Sequence, residues 1–446
     1  MAPVKTIAAI STAPGMAGVA ILRISGPAAG HVLRALTRRL PRPRVATYST
    51  LYDPVGGTPI DSALVLWFPA PRSFTGEDVA ELQVHGGRAV TAATLRAVLT
   101  VDGVRPAEPG EFTRRAFENG KLDLAAVEGL ADLLAAETEA QRRQAYAQYG
   151  GRIANVGEAL RVNLVNALAL VEATIDFPDE DDVGTSALGD ARRRIEELDR
   201  QVLALLADSD RGERIRDGLR VAIAGPPNAG KSTLLNTLAG RDVAIVSPIA
   251  GTTRDALEVH LDLDGVAFVL TDTAGLRAGA DPIELEGIRR ARSRIRSADL
   301  VLFLQSADAE AVIDPDWDAG QEVKIWHVQT QIDRFGPDMA ADHFFRHRIS
   351  AVEGIGIREL LADLATFGRD HAGGEPAVLV RERHRAVFAD LHRALADGLL
   401  IRDWSQETEL VAENLRAGLS ALGRATGRVD VEAVLDVVFS SFCIGK

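Results

Sequence analysis

The chain of 446 residues is 46% hydrophobic and 25% charged, a balance that excludes a disordered or fibrous protein. Fifty basic against 63 acidic side chains leave a formal charge of -13, so any nucleic acid must bind a local patch or one completed by a partner. A single cysteine, Cys443, excludes an intrachain disulfide and a cysteine-rich metal site. No apolar run approaches the ~20 residues of a bilayer span, and the run at 17–22 is too short for a signal-peptide core. A cytoplasmic, multidomain protein without a membrane segment is expected.

Up to about residue 120, apolar runs such as VAILRIS and SALVLWF alternate with the Gly/Pro turns PGMAG, PVGGTP and HGG, a pattern of mixed strand and helix. From 121 onward, helical spacing takes over: Leu124, Val127, Leu130 and Leu134, then Leu160, Leu164, Leu168, Val171 and Ile175. The acidic run DFPDEDD, 176–182, interrupts it at Pro178, and spacing resumes with Leu188, Ile195, Leu198, Val202 and Leu205. This run reads as a solvated junction rather than a metal site. Near Leu219 the strand-like runs RVAIAG, AFVLTD, LVLFLQS and VKIWHV begin, separated by helical segments, which predicts a mainly parallel α/β sheet. Beyond the HAGGEP linker, Val387, Leu391, Leu395 and Leu399 and then Leu415, Leu419 and Leu422 predict helices again. The α/β block is therefore expected to interrupt a helical domain whose halves flank it.

GPPNAGKS, 225–232, lies between the strand RVAIAG and the helix-like STLLNTLAG, the context that a G-x-x-x-x-G-K-[ST] phosphate loop requires. Gly225 and Gly230 let backbone N–H groups close around phosphate oxygens, and the helix adds the positive end of its dipole. Lys231 brings a point charge to the β/γ-phosphates, and Ser232 offers a hydroxyl to Mg²⁺. Three elements follow in order: GTTRD, with Thr253 as second Mg²⁺ ligand; DTAG, with Asp272 in the metal shell and Gly275 at the γ-phosphate; and RISA, where Ser350 or Ala351 supplies an N–H to the base. Together they resemble the GTPases. Where those usually read Asn-Lys-x-Asp, this chain reads TQID, 330–333; Asp333 still accepts from guanine N1–H and its amino group, while Thr330 and Gln331 replace the amide and the lysine. Leu276 stands where Ras-like GTPases carry the water-orienting glutamine, so either hydrolysis is very poor or the catalytic group comes from elsewhere.

GPPNAGKSTLLNTLAG, VAIVSPIAGTTRDALE and DTAGLR, with GVAILRISGP, SFTGEDVAELQVHGG, RPAEPGEFTRRAFENGKLDLAAVEGLADL, VEATIDFPDE and the terminal FSSFCIGK, resemble the MnmE (TrmE) family of tRNA modification GTPases from about residue 6 to 446. Pro226, where a basic residue is commoner, and TQID depart from the pattern. The resemblance implies a multidomain fold: an N-terminal α/β folate-binding and dimerisation domain (1–120), a helical domain in two parts (121–213 and 379–446, the latter with the FCIGK tail), and an inserted P-loop GTPase domain of Ras-like type (214–378). It implies a homodimer that joins the flavoprotein MnmG (GidA) in a heterotetramer. With GTP hydrolysis, the pair adds a 5-carboxymethylaminomethyl or aminomethyl group to the wobble uridine of certain tRNAs. The flavin (FAD) belongs to the partner, since no G-x-G-x-x-G loop is visible here.

The implied GTP contacts are Asn228, Ala229, Gly230, Lys231, Ser232 and Thr233; Ser247, Pro248, Ile249, Ala250, Gly251, Thr252 and Thr253; Asp272, Thr273, Ala274 and Gly275; and Asp333, Ser350 and Ala351. Ser232 and Thr253 match the Mg²⁺ positions; Asn228, Ser247, Ile249 and Thr252 match a K⁺ site, where the ion neutralises transition-state charge in place of an arginine finger. Lys231 and Glu284 match the catalytic positions, the glutamate acting on the attacking water. Arg23, Glu81, Lys121 and Lys446 match a pocket for 5-formyltetrahydrofolate or a related reduced folate, which asks for a carboxylate opposite the pterin donors and cations for its carboxylates. Cys443 and His85 are not assigned to the chemistry. Two other readings remain at this stage: a ribosome-assembly, RNA-binding GTPase switch, and a GTP-dependent dimerisation scaffold without chemistry of its own.

Overall fold

The computed structural model describes residues 5–176, 181–245, 258–272, 293–308, 323–334, 344–425, and Phe439, Phe442 and Gly445, with the backbone alone described for 181–185. It divides into two compact units, one of residues 1–131, 148–161 and 419–446 and one of 132–147 and 162–418.

In the first unit, β1 (Thr6–Ile10), β2 (Ala20–Ser25), β3 (Thr47–Tyr52), β4 (Pro59–Phe68), β5 (Val79–Val84) and β6 (Val104–Pro106) form one sheet in the order β3-β4-β5-β2-β1-β6. Its pairs are antiparallel except β1 with β6. Alternation decides the faces. Leu22, Ile24, Val65, Trp67, Ala80 and Leu82 turn toward helices α1 (Ala29–Thr37) and α2 (Arg88–Leu99), which contribute Val32, Leu33, Leu36 and Val98 to one core. Ile7 and Ala9 face the other way, onto Phe112 of α3 (Glu111–Glu118). Helix α4 (Leu124–Ala135) packs Val127 on Phe439 and Phe442. The leucine stripe stops short of its end, because Leu134 is exposed.

The second unit contains most of the helical segments α5 (Glu139–Tyr149) and α6 (Arg152–Asp176), together with α7 (Asp181–Ala207) and α8 (Ser209–Asp217). An α/β segment follows: β7 (Leu219–Ala224), α9 (Lys231–Ala239), β8 (Glu258–Leu263), β9 (Val266–Asp272), β10 (Leu300–Ser306), β11 (Lys324–Thr330), β12 (His347–Arg348) and α10 (Ile357–Ala372). Its sheet runs β12-β11-β10-β7-β9-β8, parallel except for β8, which pairs antiparallel with β9 at the edge. The central strands are largely apolar because both faces are covered: Val221, Ile223, Leu302 and Leu304 lie in one core, Ala222, Ala224, Val301 and Phe303 in the other.

Helices α11 (Glu382–Leu400) and most of α12 (Thr408–Ala425) complete this unit. His392 Nδ1 meets Asp199 Oδ1 at 2.6 Å, Arg192 donates to the Leu399 carbonyl at 3.1 Å, and Arg416 pairs with Glu172. The helices before and after the α/β segment thus pack on one another, as expected of an insertion. Helix α5 holds both crossings of the chain. Gln141 Nε2 donates to the Arg216 carbonyl at 3.0 Å, while Gln144 exchanges two bonds, 2.8 and 2.7 Å, with the backbone of Ala377.

Candidate nucleotide and folate sites

Strand β7 lies between β10 and β9, so the chain order reverses around it. Ligands of open α/β sheets bind outside the carboxyl ends of strands at such a point. The glycine-rich loop leaves β7 there. Gly225 has φ of +139°, and a side chain on it would place Cβ 2.2 Å from the Leu304 carbonyl oxygen; only glycine fits between β7 and β10. Gly230 (φ +87°) and Asn228 (φ +64°) are also left-handed, the second a conformation that asparagine tolerates better than most residues. Helix α9 starts at Lys231, immediately after this turn.

Lys231 Nζ donates to the carbonyls of Gly225 and Pro226, both at 2.8 Å. Burial pushes its pKa down, with the Asp272 carboxylate opposing that shift. A phosphate entering the loop gives this ammonium a better acceptor than a neutral carbonyl. Ser232 Oγ donates to Asp272 Oδ2 at 3.0 Å. Asp272 ends β9, is 5% exposed, and is in register with Ile223 across β7. A buried carboxylate beside a hydroxyl is the hard-oxygen donor set that Mg²⁺ takes.

The TQID segment sits one strand further along, at the end of β11, where Thr330 is in register with Ser306. Thr330, 4% exposed, is within hydrogen-bonding distance of the Ala229 carbonyl at 2.8 Å and the Gln305 carbonyl at 3.2 Å. Gln331, left-handed at φ +60°, donates through Nε2 to the Asn228 carbonyl at 2.7 Å and accepts from Ser306 Oγ at 3.1 Å. Both side chains therefore tie the 330–333 segment to the phosphate loop, a role that motif spacing did not reveal. Asp333 lies exposed in a single 3-10 turn, Ile332–Arg334. Of the two expected base donors, Ser350 has an N–H that donates to the Ile355 carbonyl at 3.0 Å, and Ala351 has a carbonyl that accepts from Thr237.

Asn228, Ala229, Gly230, Lys231, Ser232, Thr233 and Asp272 are thus placed together at the sheet's carboxyl edge, with Thr330 and Gln331 reaching them. Ser247, Pro248, Ile249, Ala250, Gly251, Thr252, Thr253, Thr273, Ala274, Gly275, Leu276 and Glu284 lie outside the described residues, as do Cys443 and Lys446.

In the first unit, Arg23 on β2 faces Glu81 on β5, and their side chains pair at 3.0 Å while staying about a fifth exposed. The Arg23 guanidinium lies 5.4 Å from the Phe74 ring and 5.9 Å from Phe112. Lys121 approaches the same loop as Phe74, since a Cβ on Gly76 would stand 3.2 Å from its Cε. That loop is pinned from several sides: Ser25 bonds Thr75 and Glu77, Arg115 bonds Glu77, and Asn119 donates to the Thr75 carbonyl. Two aromatic rings and three charged groups around it suit a flat, polar-edged heterocycle bearing carboxylates. Gly445 is held beside β1, its carbonyl accepting from Ser11 Oγ at 3.0 Å. His85 is exposed and pairs with Asp61.

Comparison with known proteins gives the family. Residues 6–121 match the family described as GTP-binding protein TrmE N-terminus, and residues 124–443 match the MnmE helical domain. The tRNA modification GTPase MnmE of Rhodopseudomonas palustris is 51% identical over 449 residues, covering 99% of each chain. The protein of that name from Azorhizobium caulinodans is 51% identical over 441 residues with the same coverage. Among solved structures, a variant of Era from Aquifex aeolicus bound to GDP and AlF4- aligns at 26% identity and TM-score 0.29, over 41% of this chain and 68% of that one. Likeness from end to end, with a phosphate loop in its strand–helix context and the matching first unit, leads to one conclusion: the chain belongs to the MnmE (TrmE) family of tRNA modification GTPases.

Proposed function

We propose that this protein hydrolyses GTP in a K⁺-dependent reaction and, with the flavoprotein MnmG (GidA), adds a 5-carboxymethylaminomethyl or aminomethyl group to the wobble uridine of certain tRNAs. The observation that carries the GTP reading is the Ser232–Asp272 pair at 3.0 Å, beside a Lys231 that donates to two loop carbonyls. Bound there, Mg²⁺ supplies charge neutralisation at the β- and γ-phosphates. The chain's own part is to present N–H groups from 228–232, swing the Lys231 ammonium onto phosphate oxygen, and hold the Asp272 carboxylate beside the Ser232 hydroxyl. Asn228 is the K⁺ ligand expected from the family that falls among the described residues, with Ser247, Ile249 and Thr252 completing the set; Glu284 acts on the water. Asp333 selects guanine, because adenine turns an acceptor toward that carboxylate.

A reduced folate such as 5-formyltetrahydrofolate is proposed to bind at Arg23, Glu81 and Lys121, with Lys446 completing the pocket. The support is the charged, aromatic-walled cluster around the 73–77 loop. We further propose a cytoplasmic homodimer that associates with MnmG, FAD remaining on that partner, and domain limits of 1–120, 121–213, 214–378 and 379–446. Turnover of GTP by the full chain in KCl and in NaCl at matched ionic strength tests the first part: K⁺ should activate, and equal rates would refute it. Mass spectrometry of wobble uridines in tRNA from a strain lacking the protein tests the second; unchanged modification would refute it.

A further inference from the structure

None of the 63 acidic side chains lies before Asp53, whereas seven basic ones do: Lys5, Arg23, Arg34, Arg38, Arg39, Arg42 and Arg44. In a chain of charge -13, this concentrates positive potential on one edge of the first unit. Five of the arginines occupy the end of α1 and the loop that leads into β3, the edge strand of its sheet. All five are exposed, and none has a carboxylate partner among the described residues. Arginines at a helix C-terminus are favoured by the dipole, which accounts for Arg34 and Arg38 but not for Arg39, Arg42 and Arg44.

Local packing presents the guanidinium groups rather than hiding them. Arg38 lies 3.8 Å over the Tyr52 ring, Arg44 lies 5.7 Å from the Phe68 ring centre and donates to the Arg72 carbonyl, and Arg39 donates to the Tyr48 carbonyl and Ser49 Oγ. Stacking on a ring leaves the guanidinium edge free to donate. Arg38 and Arg44 both have φ of +61°, where glycine or asparagine is the easier choice. Beside them the Tyr48 ring stands 68% exposed, a stacking platform of the kind that unpaired bases use. Arginines without a carboxylate partner among the described residues, beside an exposed aromatic and on an otherwise acidic protein, match a polyanion that also carries bases.

We infer that the surface formed by Arg34, Arg38, Arg39, Arg42, Arg44 and Tyr48 binds the phosphate backbone of the tRNA substrate. This rests on the tRNA reading proposed above and adds to it the place of contact. Arg34 and Arg42 have no side-chain bond among the described residues, so replacing them leaves packing intact. Binding of fluorescein-labelled tRNA to the full chain is measured by anisotropy across a KCl series, for wild type, Arg34→Ala with Arg42→Ala, and Arg34→Lys with Arg42→Lys. The alanine pair should lose about tenfold in affinity near 100 mM salt, and its log–log salt slope should fall in magnitude by about 1.4–1.8, for two phosphate contacts. The lysine pair should keep most of both, and GTP turnover without tRNA should not change. Wild-type binding with an unaltered alanine pair overturns the inference while leaving the tRNA reading intact. Absence of any wild-type binding overturns that reading itself. Loss of binding to phosphatidylglycerol vesicles, with tRNA binding retained, also overturns the inference and makes the patch a membrane contact.

Discussion

Replacing Thr330 with valine removes one hydroxyl and little else, since valine keeps the volume and the branching that suits β11. The hydroxyl is 2.8 Å from the Ala229 carbonyl and 3.2 Å from that of Gln305, on a side chain 4% exposed. One O–H donates one proton, so the loss is a single buried bond, about 1–2 kcal/mol. Its effect falls on the phosphate loop, because Ala229 precedes Gly230 and Lys231 in the turn that starts α9. A loop released from β11 must be reordered by the ligand, and apparent affinity falls by the fraction of molecules no longer competent. At about 1.4 kcal/mol per tenfold, Thr330→Val should weaken fluorescent GDP binding roughly 5- to 30-fold. Thr330→Ser, which restores the donor, should recover most of it. Thermal unfolding followed by circular dichroism separates a loop effect from a general loss of fold. Affinity within twofold of wild type, with an unchanged unfolding curve, would show that the hydroxyl does not brace the loop.

The double replacement Thr330→Asn with Gln331→Lys exchanges existing ties for the usual amide and lysine stem. It should change GDP affinity by less than tenfold, and a larger gain in the same titration would mean that the TQID contacts contribute nothing. Gln144→Leu removes both bonds to the Ala377 backbone at a site 3% exposed; it should cost about 1–3 kcal/mol, read as a lower urea midpoint at constant slope. Burial holds the pKa of His347 below its ordinary value of 6.5 even though Asp363 opposes the shift, and burial lowers that of His327 as well. The neutral forms are thus favoured on folding, so this contribution is complete above pH 6.5 and is lost as pH falls through the lower folded values. His347→Gln should flatten the decline in stability below pH 6.5, measured by urea unfolding at several pH values; an unchanged decline would exclude it as a source.

Much of the fold was legible because its signals are local. The runs RVAIAG, AFVLTD, LVLFLQS and VKIWHV became β7, β9, β10 and β11 with nearly the expected limits, since strands buried on both faces admit few polar residues. The spacing of Ile195, Leu198 and Val202 and of Val387, Leu391 and Leu395 marked buried helix faces for the same reason. The loop 225–232 announced itself because phosphate chemistry demands glycine, lysine and a hydroxyl at set positions. Strand β8 escaped notice: EVHLDL is half-exposed at a sheet edge, so its composition carries no continuous apolar run.

The amino-acid sequence by itself determined the family, the order of elements and the residue types that meet phosphate. Only tertiary structure decided what those residues touch. Thr330 and Gln331 looked like losses from a base-reading motif, yet they reach carbonyls of residues 229 and 228, about a hundred positions earlier in the chain. Arg23 and Glu81, each unremarkable as a surface charge, become one ion pair through the register of β2 and β5. The Ser350 N–H, in a segment whose spacing says nothing of its partner, donates to the Ile355 carbonyl. Helix and strand period follow from neighbours a few residues apart, whereas hydrogen-bond partners across a sheet depend on which strands the whole chain brings side by side.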